Sequence, residues 1–421
     1  MWRSIFSNFG VRVFASILNL GLVILFSQVG GLIGKGEQSL LLTTIAILTI
    51  FDALIGGAAL VNFSTRFAWS ILLRTSYVWI FALTLIAGLL LFILEVFSPI
   101  YLLNVLILSV LSAIVAVHSS LLLGQKRFVA YNLIQISIPL LTFFTCLFQY
   151  YFDGKLNYEL ALYFAYGSAF LISSYFVWFY LPKAQTAPHA FGFLLRQMLA
   201  YGTYNQMAHV FQLLSFRASF YFLEYYHGKS TVGLFSNASS LTESVWLVAT
   251  SISLWQYAVI ANSDDSKYNI QLTEKLTRFG MTTAFLACLS LAILPGSFYG
   301  FLFGPDFAAL QPIMWLLAPG VWLFSYALIV GHYFSGHGRY QVNALASGIG
   351  LIVSLIGSFL LIPTYQTQGA AVAASLSYMV TSAIVFWFFK KEGGQFTLFL
   401  QIEEIKSFQT QVLQRLRSMR L

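Results

Sequence analysis

Charge is what this chain has least of. Asp, Glu, Lys and Arg together make up 9% of its 421 residues, against about 25% in soluble domains. A soluble globular protein is excluded on that ground, and a mean hydropathy of +0.80 agrees. Cysteine is nearly absent: Cys146 and Cys288 are the two. Both lie inside apolar stretches, with no paired-Cys or Cys/His spacing that would suggest a disulfide frame or a metal site; they read as core thiols. Catalytic signatures are missing too. There is no G-x-S-x-G, no H-E-x-x-H, no Walker loop and no G-x-G-x-x-G after a strand. An enzyme is therefore unsupported, and no cofactor or metal is expected.

What is present is long apolar sequence. Stretches of about twenty residues recur twelve times, near 9–30, 39–61, 77–97, 100–123, 131–151, 159–181, 199–223, 233–260, 279–304, 310–331, 341–363 and 369–389. Roughly 20 helical residues span a hydrocarbon core about 30 Å thick, so the chain reads as an all-α polytopic membrane protein of about 12 transmembrane helices. Of the 22 Lys and Arg residues, eighteen fall in or beside alternate gaps between spans. Lys35, Lys155 and Lys229 occupy the opposite gaps, and Arg217 lies within a span. Basic loops stay cytoplasmic, so both termini are expected inside and the net charge of +8 is mostly a topology signal. Nucleic acid would need a concentrated basic patch, which this spread does not provide. The first stretch has no small-residue cleavage site after it and is expected to be a retained helix. No loop on the outer side exceeds about a dozen residues, leaving little room for an active site there.

The polar segment 182–198, broken by Pro182 and Pro188, divides the spans six and six. The expected organisation is a six-helix lobe over 1–181, a cytoplasmic linker over 182–198, a second six-helix lobe over 199–389 and a cytoplasmic tail over 390–421. Gly124-Gln-Lys-Arg127-Phe-Val-Ala-Tyr-Asn132 and Gly336-His-Gly-Arg339-Tyr-Gln-Val-Asn343 share Gly, Arg three residues on, an aromatic and then Asn. Asp52 and Glu243 each follow a Gly/Lys turn (Gly34-Lys35-Gly36 and Gly228-Lys229) by about fifteen residues, as a parallel repeat would give. Generic loop chemistry explains the same letters: Gly for a turn, Asn for a cap. In the tail, Leu398, Ile402, Ile405, Phe408, Val412, Leu416 and Met419 form one apolar helical face with Arg415, Arg417 and Arg420 at its end. An amphipathic helix on anionic lipid fits this pattern; a coiled-coil or docking helix is the alternative.

Ionisable groups within spans carry the functional signal, because each costs roughly 2.5–3.5 kcal/mol near a helix centre. Arg12 lies at the mouth of helix 1 and Asp52 in helix 2. His118 lies in helix 4, His209 and Arg217 in helix 7, and Glu243 in helix 8. On helix 7, Asn205, His209, Gln212 and Ser219 fall within about 80° of one another, while Arg217 lies on an adjacent strip. Asn237 adds to helix 8. Arg217 has three readings: snorkelling to headgroups, pairing with Glu243, or lining a hydrated cavity that attracts an anion. Asp52 either pairs with Arg12 or joins the cavity. His118, among small and apolar neighbours, reads as a packing histidine, and His209 as a polar-face residue with a proton relay as the sharper option.

Four stretches carry a resemblance: Phe301-Leu-Phe-Gly-Pro-Asp-Phe307, Leu316-Leu-Ala-Pro-Gly320, Leu361-Ile-Pro-Thr-Tyr365 and Gln368-Gly-Ala-Ala-Val-Ala-Ala374. Together with Val232-Gly-Leu-Phe-Ser-Asn-Ala-Ser-Ser-Leu-Thr-Glu243 and Gly34-Lys-Gly-Glu-Gln-Ser39, these resemble polysaccharide flippases. The families in question are the O-antigen (Wzx-type) and polysaccharide transport families of the multidrug/oligosaccharidyl-lipid/polysaccharide (MOP) exporter superfamily. One departure is Ser27-Gln28-Val29-Gly30, where many relatives carry Arg before Leu-Gly. The resemblance implies two six-helix lobes opening alternately, with a cavity lined by helices 1, 2, 7 and 8. It implies a lipid-linked oligosaccharide as substrate, its diphosphate held by cationic residues. It thus gathers Arg12, Asp52, Asn205, His209, Gln212, Arg217, Asn237 and Glu243 at one substrate-binding site. Membrane lipids, a glycan polymerase and other polysaccharide-assembly proteins are the expected partners. A multidrug antiporter of the same superfamily and a membrane glycan polymerase or ligase are the competing readings.

Overall fold

A computed structural model describes residues 2–93, 98–181, 191–396 and 398–400. The side chains of residues 2–9, 11–13, 204 and 205 lie outside the description, as does the tail from 401 onward with its predicted amphipathic helix. Among the described residues the chain is helical, with no strand. The helices are α1 (Trp2–Gly56), α2 (Ala58–Phe63), α3 (Trp69–Ile93), α4 (Pro99–Gly124), α5 (Phe128–Asp153) and α6 (Tyr158–Tyr180). They continue with α7 (Phe191–His227), α8 (Lys229–Ser244), α9 (Trp246–Ile260), α10 (Ser266–Ile293) and α11 (Gly296–Phe303). A 3-10 turn, Pro305–Ala309, leads into α12 (Leu310–Gly336) and α13 (Tyr340–Lys391). Among the described residues, eight helical segments are long and apolar enough to cross a bilayer, and two of them, Phe14–Phe63 and Tyr340–Lys391, are of double length.

Both double-length segments break at a left-handed residue. In α1 it is Gly31, at φ 58°; in α13 it is Gln366, at φ 50°. The α13 break reverses the chain. A Cβ on Gly369 would lie 2.4 Å from the Leu361 carbonyl oxygen, and one on Gly357 would lie 2.9 Å from the Ala373 Cβ. Ser377 Oγ donates to the Gly350 carbonyl at 2.7 Å. Each pair brings together residues on opposite sides of Gln366, so α13 is an antiparallel hairpin whose arms touch through Gly, Ala and Ser. Lipid is as apolar as Leu, and close backbone packing between small residues replaces hydrophobic burial as the drive for helix association.

The α1 break corrects one expectation. Residues 34–36 were expected in an outer loop, yet they lie on the helix that follows Gly31, and Lys35 is 4% exposed. The glycines serve a helix crossing in place of a turn. A Cβ on Gly36 would meet the Lys229 carbonyl oxygen at 2.0 Å, and one on Gly233 would meet the Leu32 carbonyl oxygen at 2.0 Å. Beside this crossing, Ser39 and Ser236 share a hydroxyl hydrogen bond of 2.8 Å.

By its internal contacts the chain forms two units, Met1–Ser236 with Ser297–Ala308, and Asn237–Gly296 with Ala309–Leu421. In the first, one core runs from Ile55, Leu60 and Trp69 through Leu121, Ile134 and Leu194. The segment Phe301–Phe307 belongs to this unit: Phe303 and Phe307 are buried, and Gln28 Nε2 donates to the Leu302 carbonyl at 2.9 Å. In the second unit, Trp246 packs against Phe324 and Tyr378 and donates to the Val321 carbonyl at 2.8 Å. Outward faces stay apolar: Leu85, Ile86, Leu89 and Ile93 of α3 are all exposed, a run that lipid and not water would cover.

The two similar turns share more than their letters. Gln125, Lys126 and Arg127 donate backbone hydrogen bonds to Leu121, Leu123 and Leu122. His337, Gly338 and Arg339 donate to Tyr333, Ser335 and Phe334, with the same offsets in sequence. Each turn has one left-handed residue at the same place, Lys126 at φ 59° and Gly338 at φ 71°. Gly124 fits against Val61 and Ser64, where α2 ends, and Gly336 fits against Ile260 and Ala261, where α9 ends. The same corner is therefore built once in each unit.

Candidate functional site

Two contacts bracket the polar stretch of α1 and α7. At one end Thr44 Oγ1 and Tyr221 Oη lie 2.8 Å apart. At the other, Gly202 leaves no room beside the Leu54 carbonyl oxygen, which a Cβ would meet at 1.5 Å. Asp52 lies between these points on α1, and Asn205, His209, Gln212 and Arg217 lie between them on α7. The fold thus pins together the two helix segments that carry most of the candidate residues. Gln206, on the strip beside them, brings its amide toward Gly57.

The residues differ in environment. Asp52 is 4% exposed, and its Oδ1 has no hydrogen-bond partner among the described residues. A carboxylate in that state is costly unless a cation or a donor reaches it. His209 is exposed and Gln212 half-buried. Ser219, on the same predicted strip, is buried, so the open part of the strip ends below it. Arg217 is half-buried and lies over the Phe220 ring, its Cζ 5.4 Å from the centroid. It is also within electrostatic reach of Lys35. Two basic side chains, one of them buried, are therefore neighbours near one end of the bracketed interval. Lys35 is a residue that sequence reasoning counted as a loop lysine; its closeness to two glycines at a helix crossing was the available signal.

The remaining candidates are placed as follows. Arg12 lies on α1 and Asn205 on α7, with side chains outside the description. Asn237 is fully buried and Glu243 half-buried on α8, and both belong to the second unit. His118 is buried, with Nε2 2.6 Å from Tyr77 Oη and Nδ1 2.8 Å from Ser173 Oγ. Both ring nitrogens are satisfied, as a packing histidine requires. Among the described residues no group of His, Cys, Asp and Glu could hold a metal ion.

Comparison with known proteins bears on the fold. No family model matches the chain. A stretch of 172 residues is 29% identical to the capsular polysaccharide biosynthesis protein CapF of Staphylococcus aureus, covering 40% of this chain and 43% of that protein. The match therefore spans less than half of the relative's length. Among solved structures, the fold is similar to that of the lipid II flippase MurJ in an inward closed conformation. The TM-score is 0.70 at 14% identity, over 91% of this chain and 87% of that one. It is also similar to the inward-facing conformation of a multidrug resistance MATE family transporter of the MOP superfamily, with a TM-score of 0.65 at 13% identity, over 92% and 97% of the two chains. This chain is a multi-pass, all-α membrane protein with the fold of the MOP superfamily flippases and transporters.

Proposed function

We infer that this protein is a flippase. It moves an undecaprenyl-diphosphate-linked oligosaccharide from the cytoplasmic to the outer leaflet of the cytoplasmic membrane by alternating access, for surface polysaccharide biosynthesis. In this reading the chain makes twelve crossings with both termini inside. α1 and α13 each count twice, and α7 and the α8–α9 pair once each. The halves 1–181 and 199–389 are the moving bodies. The protein transports and does not catalyse bond changes; the solved structures sharing its fold are transporters, and the relative from Staphylococcus aureus is named for capsular polysaccharide biosynthesis.

One observation carries the substrate assignment. Arg217 lies in the bracketed α1–α7 interval, a guanidinium held within the span over the Phe220 ring. A diphosphate needs concentrated positive charge, and a desolvated guanidinium supplies it with directed N–H donors. The amide and imidazole groups of Gln212 and His209 on the same helix add polar surface to the interval. An exporter of organic cations has no use for an arginine here, which weighs against the multidrug reading. A polymerase or ligase would need a large outer loop with clustered Arg and His.

The test is charge reversal. In cells that depend on this chain for surface glycan, Arg217→Glu should abolish export and Arg217→Lys should retain most of it, with dye efflux unchanged by either. Normal glycan export by Arg217→Glu would remove Arg217 from the site.

A further inference from the structure

Away from the bracketed interval, the first unit holds a cavity of about 1170 Å³. It lies at the helix ends that the basic-residue pattern assigns to the outer face. Its walls come from α1, α4, α5, α6, the end of α7 and the start of α8, so it is built within one unit. Its size is slightly above the roughly 300–1,000 Å³ range of small-molecule sites. We propose that this vestibule binds the uncharged glycan portion of the lipid-linked substrate. The proposal rests on the flippase reading and extends it to a second, separate site.

Gln149 is the central observation. It lines the cavity and is 7% exposed. Its Oε1 accepts from the Asn157 backbone N–H at 2.9 Å, whereas its Nε2, itself buried, has no partner among the described residues. A buried amide with one half fixed by the fold and the other half unused is a donor that an acceptor can satisfy once the wall yields slightly around it. Gln38, another lining residue, is 4% exposed; it accepts from Lys35 Nζ at 2.7 Å and hydrogen-bonds Tyr158. Tyr101 and Tyr158 add ring surface to the wall. Amides, carboxylates and aromatic faces around one space offer hydrogen bonds to sugar hydroxyls and flat surface to sugar rings.

Charge separates this site from the diphosphate site. The walls carry Glu37, Asp153, Glu159 and Glu224 against Lys155 and Lys229. Lys229 is already paired with Glu37 at 3.0 Å. An acidic excess repels a diphosphate and leaves the sugars as the fitting part of the substrate. The two sites are linked through Lys35, which is in reach of Arg217 and bonded to Gln38 in the vestibule wall. A substrate with its diphosphate near Arg217 and Lys35 would thus point its glycan into the vestibule.

Two substitutions test the site without dismantling it. Gln149→Glu keeps an acceptor for Asn157 and removes the spare donor. Gly34→Leu puts a side chain where a Cβ meets nothing within 4 Å, at a residue that lines the cavity. The full chain in lipid nanodiscs is examined by saturation-transfer NMR with neutral hexose and N-acetylhexosamine trisaccharides, and with inorganic pyrophosphate as competitor. At least one trisaccharide should receive saturation from the native protein. Both variants should lose at least about tenfold in affinity, a drop of about 1.4 kcal/mol, while unfolding at the native temperature. Pyrophosphate should not compete. Absence of trisaccharide binding, equal binding by both variants, or competition by pyrophosphate overturns the proposal. Reconstituted translocation of lipid-linked oligosaccharide is measured in parallel. If the native chain binds sugars but moves no lipid, the flippase reading fails alone. If it moves lipid and both variants move it equally, the vestibule fails alone.

Discussion

Substituting Gly233 by Ala should destabilise the protein although Ala favours helix. At this residue α8 crosses α1 with no space for a methyl group, since a Cβ would lie 2.0 Å from the Leu32 carbonyl oxygen and 3.0 Å from the Gly36 nitrogen. Relief to an ordinary contact of about 3.4 Å requires the helices to part by about 1.4 Å. The neighbouring hydroxyl pair, Ser39 and Ser236 at 2.8 Å, would then open past hydrogen-bonding distance. Overpacking costs about 1–3 kcal/mol and the lost hydroxyl bond about 0.5–1.5 kcal/mol. The helix preference of Ala over Gly returns about 1 kcal/mol. The net is a loss of roughly 1–3 kcal/mol. Gly34→Ala is the matched control, because its Cβ meets nothing within 4 Å and it should stabilise by up to about 1 kcal/mol. The assay is thermal unfolding of the full chain in one detergent, followed by intrinsic fluorescence. Gly233→Ala should unfold below the native protein and Gly34→Ala at or above it. If the two variants unfold at the same temperature, the crossing is not the tight contact described.

The paired corners predict opposite signs for mirrored substitutions. Lys126→Gly relieves a left-handed lysine at φ 59° and should stabilise by about 1 kcal/mol, whereas Gly338→Lys should cost a similar amount; thermal unfolding reads both. Tyr77→Phe should cost about 1–3 kcal/mol by leaving a buried His118 nitrogen unsatisfied, yet leave surface glycan export unchanged at permissive temperature. Asp52→Asn preserves volume at a buried residue and should leave unfolding within about 1 kcal/mol of native. Quantified surface glycan should still fall at least tenfold, if the carboxylate serves the transport cycle.

Hydropathy made the helices legible because a span must satisfy all its backbone groups internally. Among the described residues, most of each stretch expected to cross the membrane lies on helix, with breaks that include Gly57, Leu294–Pro295 and Gly304. The boundaries at breaks were less legible. A single residue, Gly31 or Gln366, turns the chain where hydropathy suggested loops of five to eight residues. Nothing in composition marks Gln366 for positive φ; its conformation follows from the small residues that hold the two arms of α13 together. The same logic hid the use of Gly36 and Gly233. In soluble sequence a Gly/Lys pair signals a turn, but inside a membrane a glycine more often marks where two helices touch.

The site was legible in part, for a related reason. Intramembrane charge is costly wherever it occurs, so Asp52 and Arg217 stood out from apolar surroundings without any knowledge of their neighbours. Lys35 and Gln149 did not, because each lies near the edge of an apolar stretch, where polar residues are common and cheap. Their burial is created by tertiary structure: Lys35 by the early turn at Gly31, and Gln149 by the Asn157 backbone folding back onto the end of α5. Sequence therefore reveals polar groups placed in lipid at a cost and overlooks those that become buried only when helix ends converge. In this chain the second kind includes Gln149 in the wall of the first unit's cavity and Lys35 beside that wall, bonded to Gln38. Under the proposed function, where diphosphate and glycan are held at separate places, removing the Arg217 charge and removing the Gln149 amide should each impair transport independently of the other.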